Sequence, residues 1–364
     1  MLINGTNIQS IWYDETKEAV FAIDQRKLPF QFEMMEMKSL NDAVFAINEM
    51  VVRGAPLIGV TAAWGLHLEI RNNKNTEFQD IKKWAKELKS TRPTAINLAL
   101  VVDEMVQELS NAQPSDYATV SLSFALKSQN REAQWCEQIG EFGFSLIEEF
   151  YQKKQQPVNI LTHCNAGWLA CVDWGTATAP MYKAHLKGIP LHIWVDETRP
   201  RNQGARLTAW ELQQAGVLYT VIPDNAGGHL MQHGMVDMVL VGSDRTTLNG
   251  DVANKIGTYL KALAAFDNNI PFYAALPSTS IDFTMTDGVK NIPIEHRGAD
   301  EMLKMEVRHQ NITFEALIMP ENTPVANYGF DVTPARLITG LITERGICMA
   351  NEASILNLFP EHLK

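Results

Sequence analysis

Cysteine is scarce in this 364-residue sequence: four residues (Cys136, Cys164, Cys171 and Cys348) stand at spacings that make neither a CxxC pair nor a zinc framework. A structural disulfide is therefore not expected, and the thiols read as reduced. Long apolar runs are missing too, since none approaches the ~20 residues of a membrane span. The start Met1-Leu2-Ile3-Asn4-Gly5 lacks the basic-then-apolar pattern of a secretory leader, so a cytoplasmic location is the expectation. Positive charge is in deficit, with 31 Lys and Arg against 42 Asp and Glu and a net charge of -11, which disfavours nucleic acid or an anionic membrane as the main partner. No GxGxxG follows a strand pattern, no GxxxxGK[ST] occurs, and no HExxH occurs, so nothing points directly to a dinucleotide, a nucleoside triphosphate or a catalytic zinc. His229 and His233 are spaced as helical metal ligands are, but no third ligand lies nearby, and a helix covering a sheet explains them as well.

What is present is an ordinary globular composition, 46% apolar and 20% charged, in a chain long enough for two domains. The first ~35 residues alternate apolar and polar in short runs (Ile11-Trp12-Tyr13, Ala19 to Ile23, Phe30-Gln31-Phe32), the pattern of a small antiparallel sheet. From Ser39 the period becomes helical, with Leu40, Ala43, Val44 and Ile47 on one stripe and Leu98, Val101, Val102, Met105 and Leu109 on another. The proline-free stretch 117–151 reads as one long helix or two connecting an N-terminal α+β domain (1–130) to a C-terminal domain (131–364).

Beyond Pro157 short apolar runs recur at βαβ spacing: Val158 to Leu161, Leu191 to Val195, Val217 to Ile222, Met238 to Val241 and Phe272 to Leu276. Helical stretches lie between them, at Gln203 to Gln214 and Asn254 to Ala265, and the texture is that of a Rossmann-like doubly wound α/β domain. Each run ends in polar or reactive groups: Thr162-His163-Cys164-Asn165, Asp196-Glu197-Thr198-Arg199, Pro223-Asp224-Asn225, Gly242-Ser243-Asp244-Arg245 and Pro277-Ser278-Thr279-Ser280. Ligands of open parallel sheets bind outside the carboxyl ends of the strands, so the five ends are expected to converge on one crevice.

Cys164 and Asp244, although far apart in sequence, both follow strands and can face that crevice. A thiol and a carboxylic acid together can move protons across a carbon skeleton. Alone, Cys164 also reads as a small core residue, or as a thiolate favoured by a helix start. Asp244 also reads as a partner of Arg245 or a turn cap, and acting as an acid near neutrality requires its pKa to be raised. Arg53, Arg92, Arg199, Arg201, Arg206 and Arg245 lie in or beside turns where cations could gather on a small anion. Arg53-Gly54-Ala55-Pro56 and Arg92-Pro93-Thr94 each read as the approach to a helix. Asn254, ahead of Lys255, reads as the N-cap of another helix whose amides could hold phosphate.

Taken in order, Arg53 to Pro56, Arg92 to Ala95, Cys164-Asn165, Glu197 to Arg201, Gln203 to Ala209, Asp244-Arg245, Asn249 to Tyr259 and Phe330 to Pro334 resemble the methylthioribose-1-phosphate isomerase family, whose fold is shared with the regulatory subunits of translation initiation factor 2B. The resemblance implies an aldose-ketose isomerase of methionine salvage, converting 5-methylthioribose 1-phosphate to 5-methylthioribulose 1-phosphate without metal or nucleotide cofactor. It implies Asp244 as general acid/base, Cys164 as catalytic thiol, and Arg53, Gly54, Ala55, Arg92, Gln203, Asn254 and Lys255 as substrate-binding residues. A homodimer is implied on the same ground. Two further readings stay open: 5-deoxyribose 1-phosphate as an alternative or second substrate, and a non-catalytic, initiation-factor-like regulatory subunit. The sequence departs from the family pattern at Ala326 to Phe330, at Glu295-His296-Arg297, and in the bulky stretch Trp168 to Tyr182, which is expected to reshape the pocket at the C5 substituent.

Overall fold

The computed structural model describes residues 1–363 except Asn4 and Pro93–Ala95. Its N-terminal part is a three-stranded antiparallel sheet, Ile11–Asp14, Ala19–Ile23 and Met34–Met37, followed by helices α1 (Leu40–Asn48), α2 (Ala55–Asn72), α3 (Phe78–Thr91) and α4 (Ile96–Ser110). The third strand lies a few residues beyond Phe30-Gln31-Phe32, which instead ends a turn and leads into an irregular segment. Helix α1 starts on a reciprocal capping box, with Ser39 Oγ accepting from the Asp42 amide (3.2 Å) and Asp42 accepting from the Ser39 amide (3.0 Å). Helix α2 is apolar on nearly every face and is buried along its length, as the centre of this part must be. The stretch beginning at Tyr117 is a single 38-residue helix, α5 (Tyr117–Lys154), roughly 57 Å long at 1.5 Å per residue.

The C-terminal part is built on a seven-stranded sheet in the spatial order Gly346–Cys348, Gly340–Thr343, Phe272–Ala275, Met238–Val241, Val158–Thr162, Leu191–Asp196, Tyr219–Ile222. All neighbours are parallel except the closing hairpin Gly340–Thr343 with Gly346–Cys348. That hairpin escaped the sequence reading, because its strands are too short to show a period. Alternate residues of the inner strands face two separate apolar layers. Ile160, Ile193, Val195, Met238, Leu240 and Ile342 join one cluster, while Leu161, Val239, Val241, Phe272, Ala274 and Leu341 join the other. A strand covered on both faces reads as a continuous apolar run, which is why these runs were visible in the sequence.

The strand order fixes the site. From Val158–Thr162 the chain steps outward to Leu191–Asp196 and Tyr219–Ile222, then returns to Met238–Val241 on the other side of its starting strand. The switch point of the sheet therefore lies between the Val158–Thr162 and Met238–Val241 strands, with Cys164 two residues past the end of the first and Asp244 three residues past the end of the second.

A second, four-stranded sheet (order Ile281–Asp282, Arg245–Thr247, Val252–Lys255, Phe330–Thr333) stands at the same end. Here the expectation for Asn254 is corrected. Asn254 and Lys255 belong to a strand paired antiparallel with Phe330–Thr333, and the next helix begins only at Thr258 after Gly257, whose φ is 103°. The alternation Val252, Asn254 was too short to outweigh the turn-like Gly250-Asp251 before it.

Candidate active site

Arg53, Gly54, Ala55, Arg92, Cys164, Gln203, Asp244, Asn254 and Lys255 all line one pocket at the switch point, together with Met50, Arg201, Ser243, Pro277, Arg297 and Phe330. Pro93, Thr94 and Ala95, the rest of the turn after Arg92, lie outside the described residues.

Cys164 follows its strand in a left-handed backbone conformation (φ 65°) and leads into a loop rather than a helix start. This corrects the expectation of a helix-activated thiolate. Burial pushes the thiol pKa up, against the pull of Arg53 and Lys255. Its Sγ lies 3.3 Å from Gln203 Oε1 and donates to it, which fits a protonated sulfur. Its amide donates to Thr198 Oγ1 (2.8 Å) and its carbonyl accepts from Thr208 Oγ1 (2.6 Å), so both sides of the residue are pinned. Thr198 is itself left-handed (φ 65°), a costly conformation for a β-branched residue. The Asp224 carboxylate compensates by accepting from the Thr198 and Arg199 amides, each at 2.7 Å. Asp224 is thus a buttress behind the site and not a pocket residue; three of the five strand ends line the pocket directly, and the one at Asp196 to Arg199 reaches it only through Arg201 and Gln203 farther along the chain. Gln203 begins a π-helical turn, Gly204–Thr208, a backbone form that recurs at functional sites.

Behind Cys164 stands a fully buried carboxylate. Glu211 accepts from the amides of Trp168 and Leu169 (3.0 Å each), from Asn165 Nδ2 (2.9 Å) and from the Tyr182 hydroxyl (3.0 Å). Asn165, so oriented, accepts the Arg53 guanidinium on its side-chain and main-chain oxygens. Arg53 is thereby fixed in the pocket wall by a chain of contacts that ends in Glu211. The bulky residues Trp168, Trp174 and Met181 pack in or against the sheet's apolar core, and none lines the pocket. Within the stretch Trp168 to Tyr182 the pocket wall is supplied by the smaller residues Ala170, Cys171 and Thr176, so the stretch does line the pocket, though not with its bulkiest side chains.

Asp244 does not pair with its neighbour. Arg245 reaches instead to Asp282, leaving the Asp244 carboxyl toward the pocket. Burial raises the Asp244 pKa, opposed by Lys255, Arg53 and Arg92, with Glu295 acting in the same sense as burial. Lys255 lies with Nζ 4.9 Å from the Phe330 ring centre, and burial pulls its pKa down. Gly54 caps α2 with φ 97°, and Pro56 follows in the first turn, so the start of an 18-residue helix opens onto the pocket.

Of the six arginines flagged in turns, Arg53, Arg92 and Arg201 reach the pocket. Arg206 holds the carbonyls of Arg26 and Leu28 and the Glu306 carboxylate, while Arg199 holds the carbonyls of Pro200 and Met302. Arg297 and Met50 reach the pocket without any local sequence signal, because contacts between distant segments bring them there. His229 and His233 are exposed on and beside the short helix Gly227–Gln232, whose Leu230 and Met231 pack into the core, and His233 Nδ1 meets the His229 carbonyl at 2.8 Å. Among the described residues one cluster, His163, Asp196 and Asp224, has the spacing of metal ligands. The Lys261 ammonium already serves it, 3.1 Å from Asp196 and donating to the Asp224 carbonyl. No helix among the described residues is long and apolar enough to cross a membrane.

Residues 51–350 match the model of the Initiation factor 2 subunit family. The methylthioribose-1-phosphate isomerase of Desulfatibacillum aliphaticivorans is 54% identical over 371 residues, covering 100% of both chains, and that of Methylorubrum populi is 54% identical over 365 residues at the same coverage. Among solved structures, 5-methylthioribose 1-phosphate isomerase from Pyrococcus horikoshii OT3 superposes with a TM-score of 0.83 at 36% identity, covering 99% of this chain and 100% of that one. The delta subunit of translation initiation factor eIF-2B from A. fulgidus gives 0.79 at 34% identity, covering 97% and 100%. The chain belongs to the Initiation factor 2 subunit family and, within it, to the methylthioribose-1-phosphate isomerases.

Proposed function

We propose that this chain converts 5-methylthioribose 1-phosphate to 5-methylthioribulose 1-phosphate in methionine salvage, with Asp244 as general acid and base and Cys164 as catalytic thiol. One observation carries the reading: a carboxyl and a thiol, both favoured in their neutral forms by burial, face one pocket beside Arg53, Arg92 and Lys255. On this reading Arg53, Arg92 and Lys255 supply charge for the phosphate, the α2 start at Gly54 and Ala55 supplies amides, and Gln203 and Asn254 orient the sugar. The chain divides near residue 130, within α5, into a 1–130 part bringing Arg53 and Arg92 and a 131–364 part bringing the acid and the thiol.

A sugar carrying phosphate on its anomeric oxygen has no free hemiacetal to open. Protonation of the ring oxygen by Asp244 breaks its bond to C1 and leaves an oxocarbenium there. A hydride then moves from C2 to C1, the 2-hydroxyl proton returns to the Asp244 carboxylate, and the ketose is released with the acid restored. Only one titrating group is needed, and Cys164 serves as a neutral thiol packed beside C1 and C2, its S–H held by Gln203. The competing route, removal of the C2 proton by a Cys164 thiolate, requires ionising a sulfur that burial holds protonated.

Substrate deuterated at C2 is expected to give product with the label on C1, whereas washout into solvent would sink the hydride route. Asp244→Asn is expected to lower kcat by about 10³-fold, within the range general acid catalysis supplies. Full turnover by that variant would remove the assignment of the acid. Absence of turnover by the unaltered chain on either sugar phosphate would favour the regulatory-subunit reading. For 5-deoxyribose 1-phosphate, which lacks the methylthio group, kcat/KM is expected to fall by roughly 10- to 200-fold, the discrimination available from one small apolar group.

A further inference from the structure

The wall of the pocket contains a run of side chains with alternating charge. Arg201 donates to Glu301 (3.0 Å). Arg297 donates to Glu301 through Nε (2.9 Å) and Nη2 (2.7 Å), and to Glu295 through Nη1 (2.8 Å). The last rung differs, because Glu295 Oε2 stops 3.9 Å from Arg92 Nη2, beyond hydrogen-bond range. Each partner there keeps a buried polar atom without a hydrogen-bond partner among the described residues, Oε2 of Glu295 and Nε of Arg92. Arg92, Arg201 and Arg297 line the pocket, and the two glutamates stand behind them.

Arg297 spends its donors on the two carboxylates, so it is poorly placed to bind a further anion. Arg92 is the opposite case: among the described residues its buried Nε has no acceptor, and the Glu295 carboxylate, engaged by Arg297 through its other oxygen, faces it at 3.9 Å. A phosphate offers the bidentate, charge-assisted pairing that Glu295 does not reach.

We propose that Glu295 is a positioning residue that partly neutralises Arg92 in the empty site and yields it to the substrate's phosphate, so that it sets how tightly phosphate is held. The proposal rests on reading the pocket as a sugar-phosphate site. It has a second consequence for Asp244, which is faced by Lys255, Arg53 and Arg92 as cations, by the Cys164 thiol, and by Glu295 as the opposing anion. Removing the Glu295 charge leaves the cations less opposed and makes Asp244 give up its proton at lower pH.

The test uses the full chain with inorganic phosphate as the probe, titrated by calorimetry, and melting curves to check folding. Glu295→Gln is expected to bind phosphate about tenfold more tightly than the parent, since a like charge near the site is removed. It is also expected to move the alkaline limb of the kcat/KM profile to lower pH. Glu295→Asp keeps the charge but draws the carboxylate back from Arg92, and is expected to tighten phosphate by a smaller factor. Either variant alone decides: phosphate affinity equal to or weaker than the parent's in a folded variant overturns the proposal. Calorimetry requires no turnover, so this outcome is distinct from failure of the isomerase reading, which Asp244→Asn tests. Loss of phosphate binding by Arg92→Gln alongside unchanged binding in Glu295→Gln would likewise overturn the role given to Glu295 while keeping the pocket's.

Discussion

At the scale of the residue, the state of Cys164 governs what the site can do. A thiol whose pKa burial raises above the ordinary 9.0 is ionised to a negligible extent at neutral pH and more as pH rises through the raised value. Labelling by iodoacetamide, followed by mass spectrometry, is therefore expected to be slow at pH 7, to accelerate with pH, and to be suppressed by substrate. Rapid labelling at pH 7 would contradict the protonated state. For Asp244 the sign is reversed in use, since activity needs the protonated form. A raised pKa extends that form toward neutrality, and kcat/KM is expected to fall as pH rises through it. Glu211 belongs to the same scale. Glu211→Ala would strand the Trp168 and Leu169 amides, Asn165 and Tyr182, costing on the order of 3 kcal/mol, measurable as a lower denaturant midpoint.

At the scale of the element, close approach of backbones sets the tolerances. A Cβ on Gly54 would lie 2.4 Å from the Ala170 carbonyl oxygen, at a φ of 97° that side-chain-bearing residues rarely adopt. Gly54→Ala is expected to lower both Tm and turnover, by about 2 kcal/mol or more in stability, because neither backbone can retreat without moving the pocket wall. Elements also decide what the sequence could reveal. Strands buried on both faces announced themselves as apolar runs, and α5 as a stretch without proline; their ends, among them Cys164 and Asp244, followed. Val252–Lys255 did not, since four residues beside a glycine turn carry too little period to show. The chain of contacts from Glu211 to Arg53 and the alternating run ending at Glu295 were equally hidden, for they join segments whose meeting depends on tertiary packing. Which members of Trp168 to Tyr182 line the pocket was hidden for the same reason: size is legible in sequence, facing is not.

At the scale of the whole molecule, α5 joins both halves and carries an electrostatic burden at its centre. Glu132 is fully buried, both carboxylate oxygens lack a hydrogen-bond partner among the described residues, and burial pushes its pKa from 4.5 to about 7. Because the folded state binds this proton more strongly than the unfolded state, the contribution is favourable at low pH and is lost as pH rises from about 4.5 through about 7. Glu132→Gln is expected to remove that decline and to stabilise the chain at pH 8 by up to ~3 kcal/mol, read from denaturant curves at several pH values. An unchanged pH dependence would show that Glu132 stays ionised or finds a partner. The pocket draws on positions from Met50 to Phe330, with α5 between its two contributing halves. During synthesis the N-terminal helices can therefore collapse early, yet no ligand can be recognised until nearly the last strand has left the ribosome. Substrate can stabilise the finished molecule but cannot chaperone its birth.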